Sequence, residues 1–211
     1  MKKLMLVVLA LCLAPAAFAS QFKEGVNYTV LDMAAPTPQP QVTEYFSLFC
    51  PHCYHFEEYA EQLRDSLPKG VEFKRNHVDF VGGPMGKQMS RAYAVMQVLG
   101  VDKKVVPVVF DFIHKDHLRP SGMADIRKMF EAAGVSGKDF DAAVNSFSVN
   151  ARLAQMEHNT VEKKIRGVPA IVVNGKYLVN LASLTSKDNF SKKLFQQRLD
   201  ALVKYLAEKK G

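Results

Sequence analysis

Residues 49–58 read F-C-P-H-C-Y-H-F-E-E, with two cysteines three positions apart. Val42 to Phe49 precedes the pair, and its β-branched and aromatic content fits a buried strand. Phe56, Tyr59, Ala60, Leu63 and Leu67 follow, spaced as one face of an amphipathic helix and closed by Pro68 and Gly70. Val71 to Phe80 then reads as a second strand. The cysteines therefore sit at a strand-to-helix junction inside a β-α-β unit, which points to the α/β class.

Beyond that unit the pattern changes. Gly82-Gly83-Pro84 breaks the chain, and residues 81–165 carry helical spacings. Ala92 to Leu99 ends at Gly100, and Met123, Ile126, Phe130 and Ala133 end at Gly134. Ser136 with Asp139 resembles a capping box ahead of Phe140, Val144 and Phe147, and Leu153 and Met156 open a helix running to about Ile165. Strands return at Val168 to Val173 and Tyr177 to Leu181, on either side of the hairpin signal Asn174-Gly175. A last helix is expected after Ser186, with Phe195, Leu199, Leu202 and Leu206 on one stripe. The predicted order is strand, strand, helix, strand, helical block, strand, hairpin, strand, helix.

The first residues address the compartment. Lys2 and Lys3 precede an apolar run from Leu4 to Leu13, and Ala17-Phe18-Ala19 supplies the small-x-small pattern of a signal peptidase site. Residues 1–19 read as a cleaved leader. The run is shorter than the roughly 20 apolar residues of a membrane span, and Leu11 is bulky where a lipidated Cys12 would need a small neighbour. Removing the leader removes Cys12, so Cys50 and Cys53 are the cysteines left in the exported chain. Of 28 Lys and Arg two leave with the leader, and 26 against 21 acids gives +5. The lysines are scattered without the Arg and aromatic clustering of a nucleic-acid face, so no nucleic-acid partner is expected. Export implies an oxidising compartment where disulfides persist.

Cys50 and Cys53 could be a staple, half of a metal site or a chemical tool. As a staple, a loop this short contributes only roughly 2 kcal/mol, little for a chain long enough to bury a real core. As a metal site, the pair has His52 and His55 nearby but no second cysteine pair, and Tyr54 stands where a haem-binding histidine would be. As a tool, Cys50 at the start of a helix would face unpaired amides and about half a positive charge, which favours thiolate. His52 adds a positive charge and a donor, and Pro51 presets the first turn and removes an N–H that would have no partner. Cys53, one turn on, is suited to resolving. Stabilising the thiolate favours the reduced protein over its disulfide, so such a disulfide is readily given away.

C-P-H-C after Phe-Ser-Leu-Phe, with Gly167-Val168-Pro169-Ala170 far downstream, closely resembles the DsbA family of bacterial periplasmic thiol:disulfide oxidoreductases, over essentially the whole exported chain. That family is a standard example of a low-pKa, oxidising cysteine, so the direction argued from the helix terminus is not independent of the resemblance. The resemblance implies a thioredoxin-like fold built from residues 20–80 and 166–211, with residues 81–165 as an inserted helical domain. It implies that Val168-Pro169 is cis and faces the cysteines, with the Val168 backbone free to pair with an extended substrate. It implies that Glu44, beneath the active site, helps move the proton of Cys53, with Glu57 in the same network; a carboxylate merely paired with Arg75 is the alternative. His55 is expected at the surface. The implied substrates are unfolded exported polypeptides with free cysteines, met in the periplasm by a monomer. Reoxidation is implied to come from a quinone-linked membrane oxidase of the DsbB type, and no metal or organic cofactor is implied.

Three other duties remain open at this point. A disulfide isomerase or reductase would use the same chemistry, although isomerases of this compartment tend to add a dimerisation domain. A peptide-binding chaperone would carry the cysteines incidentally, and a metal carrier would use them as ligands.

Overall fold

The computed structural model describes residues 22–32, 36–185 and 191–209. The leader with its cleavage site and Ser186 lie outside the described residues. Among the described residues five strands form one mixed sheet in the order β1-β5-β4-β2-β3: β1 Tyr28–Val30, β2 Gln41–Phe46, β3 Glu72–His77, β4 Ala170–Val173 and β5 Tyr177–Val179. β2 and β3 run parallel, joined by helix α1 (Pro51–Ser66), while the other neighbours are antiparallel.

The central strands β2 and β4 are buried on both faces, as in a sheet covered on both sides. One face of the sheet and Phe56, Ala60 and Leu63 of α1 bury against Leu199, Leu202 and Leu206 of α7 (Lys192–Glu208). Between β3 and β4 the chain makes five helices: α2 Pro84–Leu99, α3 Asp102–Phe110, α4 Met123–Ala132, α5 Gly137–Ala143 and α6 Phe147–Glu162. Their core, with Met89, Tyr93, Phe110, Phe130 and Phe140, is continuous with Phe46, Leu48, Cys50 and Cys53. Cys50 and Cys53 thus lie where the sheet meets the helical block. Among the described residues no helix is long and apolar enough to cross a membrane.

Several boundaries differ from the sequence expectation, each for a local reason. The strand expected over Val42 to Phe49 stops at Phe46, and the next position on β4's side is Pro169, which has no N–H for the ladder. The strand expected from Val71 to Phe80 is Glu72–His77. α2 begins at Pro84 rather than Ala92, because a proline at N1 starts a helix as readily as it breaks one. Its first turn seats Gly86 on the Asp79 and Val81 carbonyls, where any Cβ would overlap backbone. The stripe Phe140, Val144, Phe147 is not one helix. Ser136 caps α5, Ser146 caps α6 by accepting from the Val149 N–H, and Phe147 opens α6 with 87% of its surface exposed. α6 therefore starts six residues before the expected Leu153. The last helix starts at Lys192, capped by Ser191.

Candidate active site

β2 delivers the chain into a turn, Ser47 to Phe49, in which the Cys50 N–H donates to the Ser47 carbonyl at 3.0 Å. Cys50 is the N-cap of α1, with extended backbone (φ −89°, ψ 117°), and Pro51 takes the first helical position. Cys53 is fully buried and Cys50 is 6% exposed; both are free thiols. His52 and His55 are exposed on the first turns of the helix. Val168-Pro169 is cis, and the Cys50 thiol donates to the Val168 carbonyl at 3.5 Å across 118 residues of chain. An open depression of about 490 Å³ runs beside this point, lined by Thr29, Gly167 to Ala170 and Leu178 to Leu181.

The two sulfurs titrate far apart. Cys50 is pulled down to about 6, first by a hydrogen bond from the Cys53 thiol, with burial opposing and the amides of Cys53 and His52 adding to the pull. The His52 charge comes last among these causes. The sequence argument placed the histidine and the helix terminus first, and the neighbouring thiol outranks both. These amides pull as hydrogen-bond donors toward the charged sulfur, although the helix start closes no capping hydrogen bond to the Cys50 side chain. Cys53 is pushed up strongly, by giving its hydrogen to Cys50 and by burial. One sulfur is poised as an anion and the other held as a thiol.

Beneath them lies a buried charge cluster. Glu44 on β2 stands opposite Arg75 on β3, and the Arg75 Nε lies 2.7 Å from a Glu44 oxygen. The guanidinium forks onto Glu57 at 3.0 and 2.6 Å and sits 4.0 Å above the Phe46 ring. The contact to Glu44 is close but poorly directed, and neither Glu44 oxygen receives a well-formed hydrogen bond. Burial accordingly outweighs Arg75 and raises Glu44 to about 7. Glu44 is thus both in contact with Arg75 and held with a raised affinity for its proton. Glu44's charge also reaches Cys53, raising it as the smallest of the causes there.

Sequence reasoning missed two residues at this site. The Leu48 N–H donates to Nε2 of His77 at 3.0 Å, and the Leu48 carbonyl accepts from Nε2 of His114 at 2.9 Å. Burial, with Arg75 second, pushes His77 down to about 3, so its ring stays neutral and can accept. The alternation of β3 could have placed His77 on a buried face; no periodic signal surrounds His114. Among the described residues, no group of three or more His, Cys, Asp or Glu side chains is arranged to hold a metal.

This arrangement has close relatives. The thiol:disulfide interchange protein DsbA of Escherichia coli is 42% identical over 213 residues, covering 100% of both chains, and that of Salmonella typhi is 42% identical over the same span. The crystal structure of the disulfide oxidoreductase DsbA from Proteus mirabilis superposes with a TM-score of 0.80 at 37% identity, covering 89% of this chain and 98% of that one. A Proteus mirabilis DsbA with a cysteine-to-serine change, in complex with the non-covalently bound peptide PWATCDS, has a TM-score of 0.80 at 38% identity, covering 89% and 99%. The family model described as DSBA-like thioredoxin domain matches residues 41–206. By sequence, fold and the architecture around Cys50 and Cys53, this chain belongs to the DSBA-like thioredoxin domain family.

Proposed function

We propose that this protein-disulfide oxidoreductase works as a net oxidant, donating a Cys50–Cys53 disulfide to unfolded, exported polypeptides. The observation that carries the reading is the asymmetry of the two sulfurs, about 6 at Cys50 and strongly raised at Cys53. A stabilised Cys50 thiolate is a good leaving group and a poor reason to keep the disulfide.

A client thiolate attacks Cys50 Sγ, the Cys50–Cys53 bond breaks, and Cys53 departs with the electron pair and takes a proton. Glu44, raised to about 7, is the candidate donor of that proton, with Arg75 and Glu57 setting its charge. A second client thiolate then attacks the client sulfur of the mixed disulfide, and Cys50 leaves as thiolate. The client gains one disulfide and the enzyme two electrons. Val168 and Pro169 form the wall beside Cys50, and the depression there suits an extended peptide whose backbone pairs with Val168. The peptide complex of the Proteus mirabilis relative supports this use.

On this reading residues 1–19 are the leader, the protein works in the periplasm as a monomer, and residues 81–165 form a helical domain inserted into a thioredoxin-like one. The redox pair is its own cofactor, and a quinone-linked membrane oxidase of the DsbB type restores the disulfide.

The test mixes oxidised protein with a reduced, unfolded client of two cysteines. One disulfide per enzyme should pass to the client, and the Cys50→Ser variant, which cannot form the Cys50–Cys53 disulfide, should transfer none. Retention of most activity by Cys50→Ser would favour the chaperone reading, and net reduction of the client in a glutathione buffer would favour a reductase.

A further inference from the structure

Leu48 lies two residues before Cys50, and both polar groups of its backbone are held by histidine rings. Within the turn, the Cys50 N–H bonds the Ser47 carbonyl and the Phe49 N–H bonds Ser47 Oγ at 3.2 Å, so those two ties are internal. The Leu48 bonds anchor the turn to β3 and to the helical block. His77 accepts from the Leu48 N–H and therefore carries its proton on Nδ1, 2.8 Å from Ser90 Oγ. For His114 the roles reverse. A carbonyl can only accept, so Nε2 of His114 carries the proton.

The two rings come from different parts of the fold. His77 ends β3, whereas His114 stands in a π-helical turn, Asp111–Lys115, that continues α3. π turns are rare and recur at functional sites. This one touches the active-site segment twice. His114 stacks on Tyr54 with ring centres 5.1 Å apart and planes 17° apart, and the Tyr54 hydroxyl lies 3.3 Å from Asp111. Two residues of this turn, Asp111 and His114, thus meet the turn before Cys50 and the residue after Cys53.

We propose that His114 is a positioning residue for disulfide exchange: its Nε2–H holds the Leu48 carbonyl, and with it the turn that presents Cys50 to the first amides of α1. The inference rests on reading Cys50 as the exchanging sulfur. Dipolar stabilisation falls off within the first helical turn, so a small drift of Cys50 weakens what the helix terminus and Cys53 supply. The ring is part-buried between Phe110 and Tyr54, and burial favours its neutral form, with a single proton to give.

Two variants of the full-length protein separate donation from stacking. His114→Phe keeps a ring on Tyr54 and removes the donor; His114→Gln loses the ring and keeps an amide N–H. The readouts are the Cys50 thiolate midpoint by ultraviolet absorbance and the equilibrium constant with glutathione, with near-ultraviolet circular dichroism confirming the fold. His114→Phe should raise the midpoint by about half a unit and make the protein about threefold less oxidising, and His114→Gln should stay near wild type. Should His114→Phe not fold, His114→Leu takes its place in the comparison. A donor-free variant with wild-type values overturns the proposal, and so does a His114→Gln variant as impaired as the donor-free one. Wild-type protein that oxidises no client would instead remove the function on which the proposal rests.

Discussion

Arg75→Met is expected to destabilise the protein by about 3–5 kcal/mol at pH 8, the cost of breaking a buried ion pair from one side. Glu44 is fully buried and the Arg75 side chain is 8% exposed, so the variant strands a carboxylate away from water. The two partners report the pair differently. Arg75 is held up by Glu44 and Glu57 against its burial, as in a favourable pair, whereas Glu44 rises from 4.5 to about 7 although Arg75 pulls it down. The Glu44 direction decides the net balance, because Arg75 divides one charge between two carboxylates and gives its well-directed hydrogen bonds to Glu57.

The sign with pH follows. The native state holds a proton on Glu44 that the unfolded chain releases, so this group lowers stability as pH rises from about 4.5 to about 7. Without Arg75 the window extends upward. Denaturant titrations at pH 5 and pH 8 should therefore show a deficit for Arg75→Met that shrinks at the lower pH, where Glu44 is protonated in both proteins. Equal deficits at the two values would mean that the charge of Glu44 is not what Arg75 balances.

The reduced protein should gain stability relative to the oxidised one by about 2 kcal/mol between pH 6 and pH 9. Cys50 falls from 9 to about 6 in the folded reduced state, and the oxidised state has no such thiol. A depressed group contributes stability that is complete above its unfolded value and lost as pH falls through the folded one. The whole shift corresponds to about 4 kcal/mol, and halving it allows for solvent screening at the mouth of the site. Above pH 9 the raised Cys53 works the other way and ends the rise. Parallel denaturant titrations of the two redox forms read the difference; one that stays level over this range would remove the thiolate from the account.

The features legible in the sequence are those encoded by neighbours along the chain. The β2–α1 junction follows from an apolar segment, a proline at N1 and a helical stripe that all agree. The hairpin at Asn174-Gly175 follows from two residues that accept positive φ, observed at 52° and 66°. The family resemblance supplied the cis bond at Pro169, which local sequence could not. Glu44 and Arg75 were each visible, and their direct opposition across the parallel β2–β3 ladder made them a pair.

The rest depends on distant contacts. Leu48 meets His77 across 29 residues and His114 across 66, and nothing local records either meeting. Around His114 the chain has Pro107 inside α3 and then a π turn, so the spacing there matches neither helix nor strand. Phe147 misled because residues seven apart share a helical stripe whether or not one helix joins them, and the Ser146 cap interrupts this one. The leading cause of the low Cys50 value, a bond from Cys53, depends on side-chain geometry that C-x-x-C spacing allows but does not dictate.

What everything else requires is that the sulfur at position 50 prefer to be an anion near neutrality. Ultraviolet absorbance of the reduced protein across the pH scale measures this directly, because Cys53 stays protonated over the range that matters. A thiolate step centred at about 6 is the predicted result. A single step near 8.5, as in free cysteine, would contradict it.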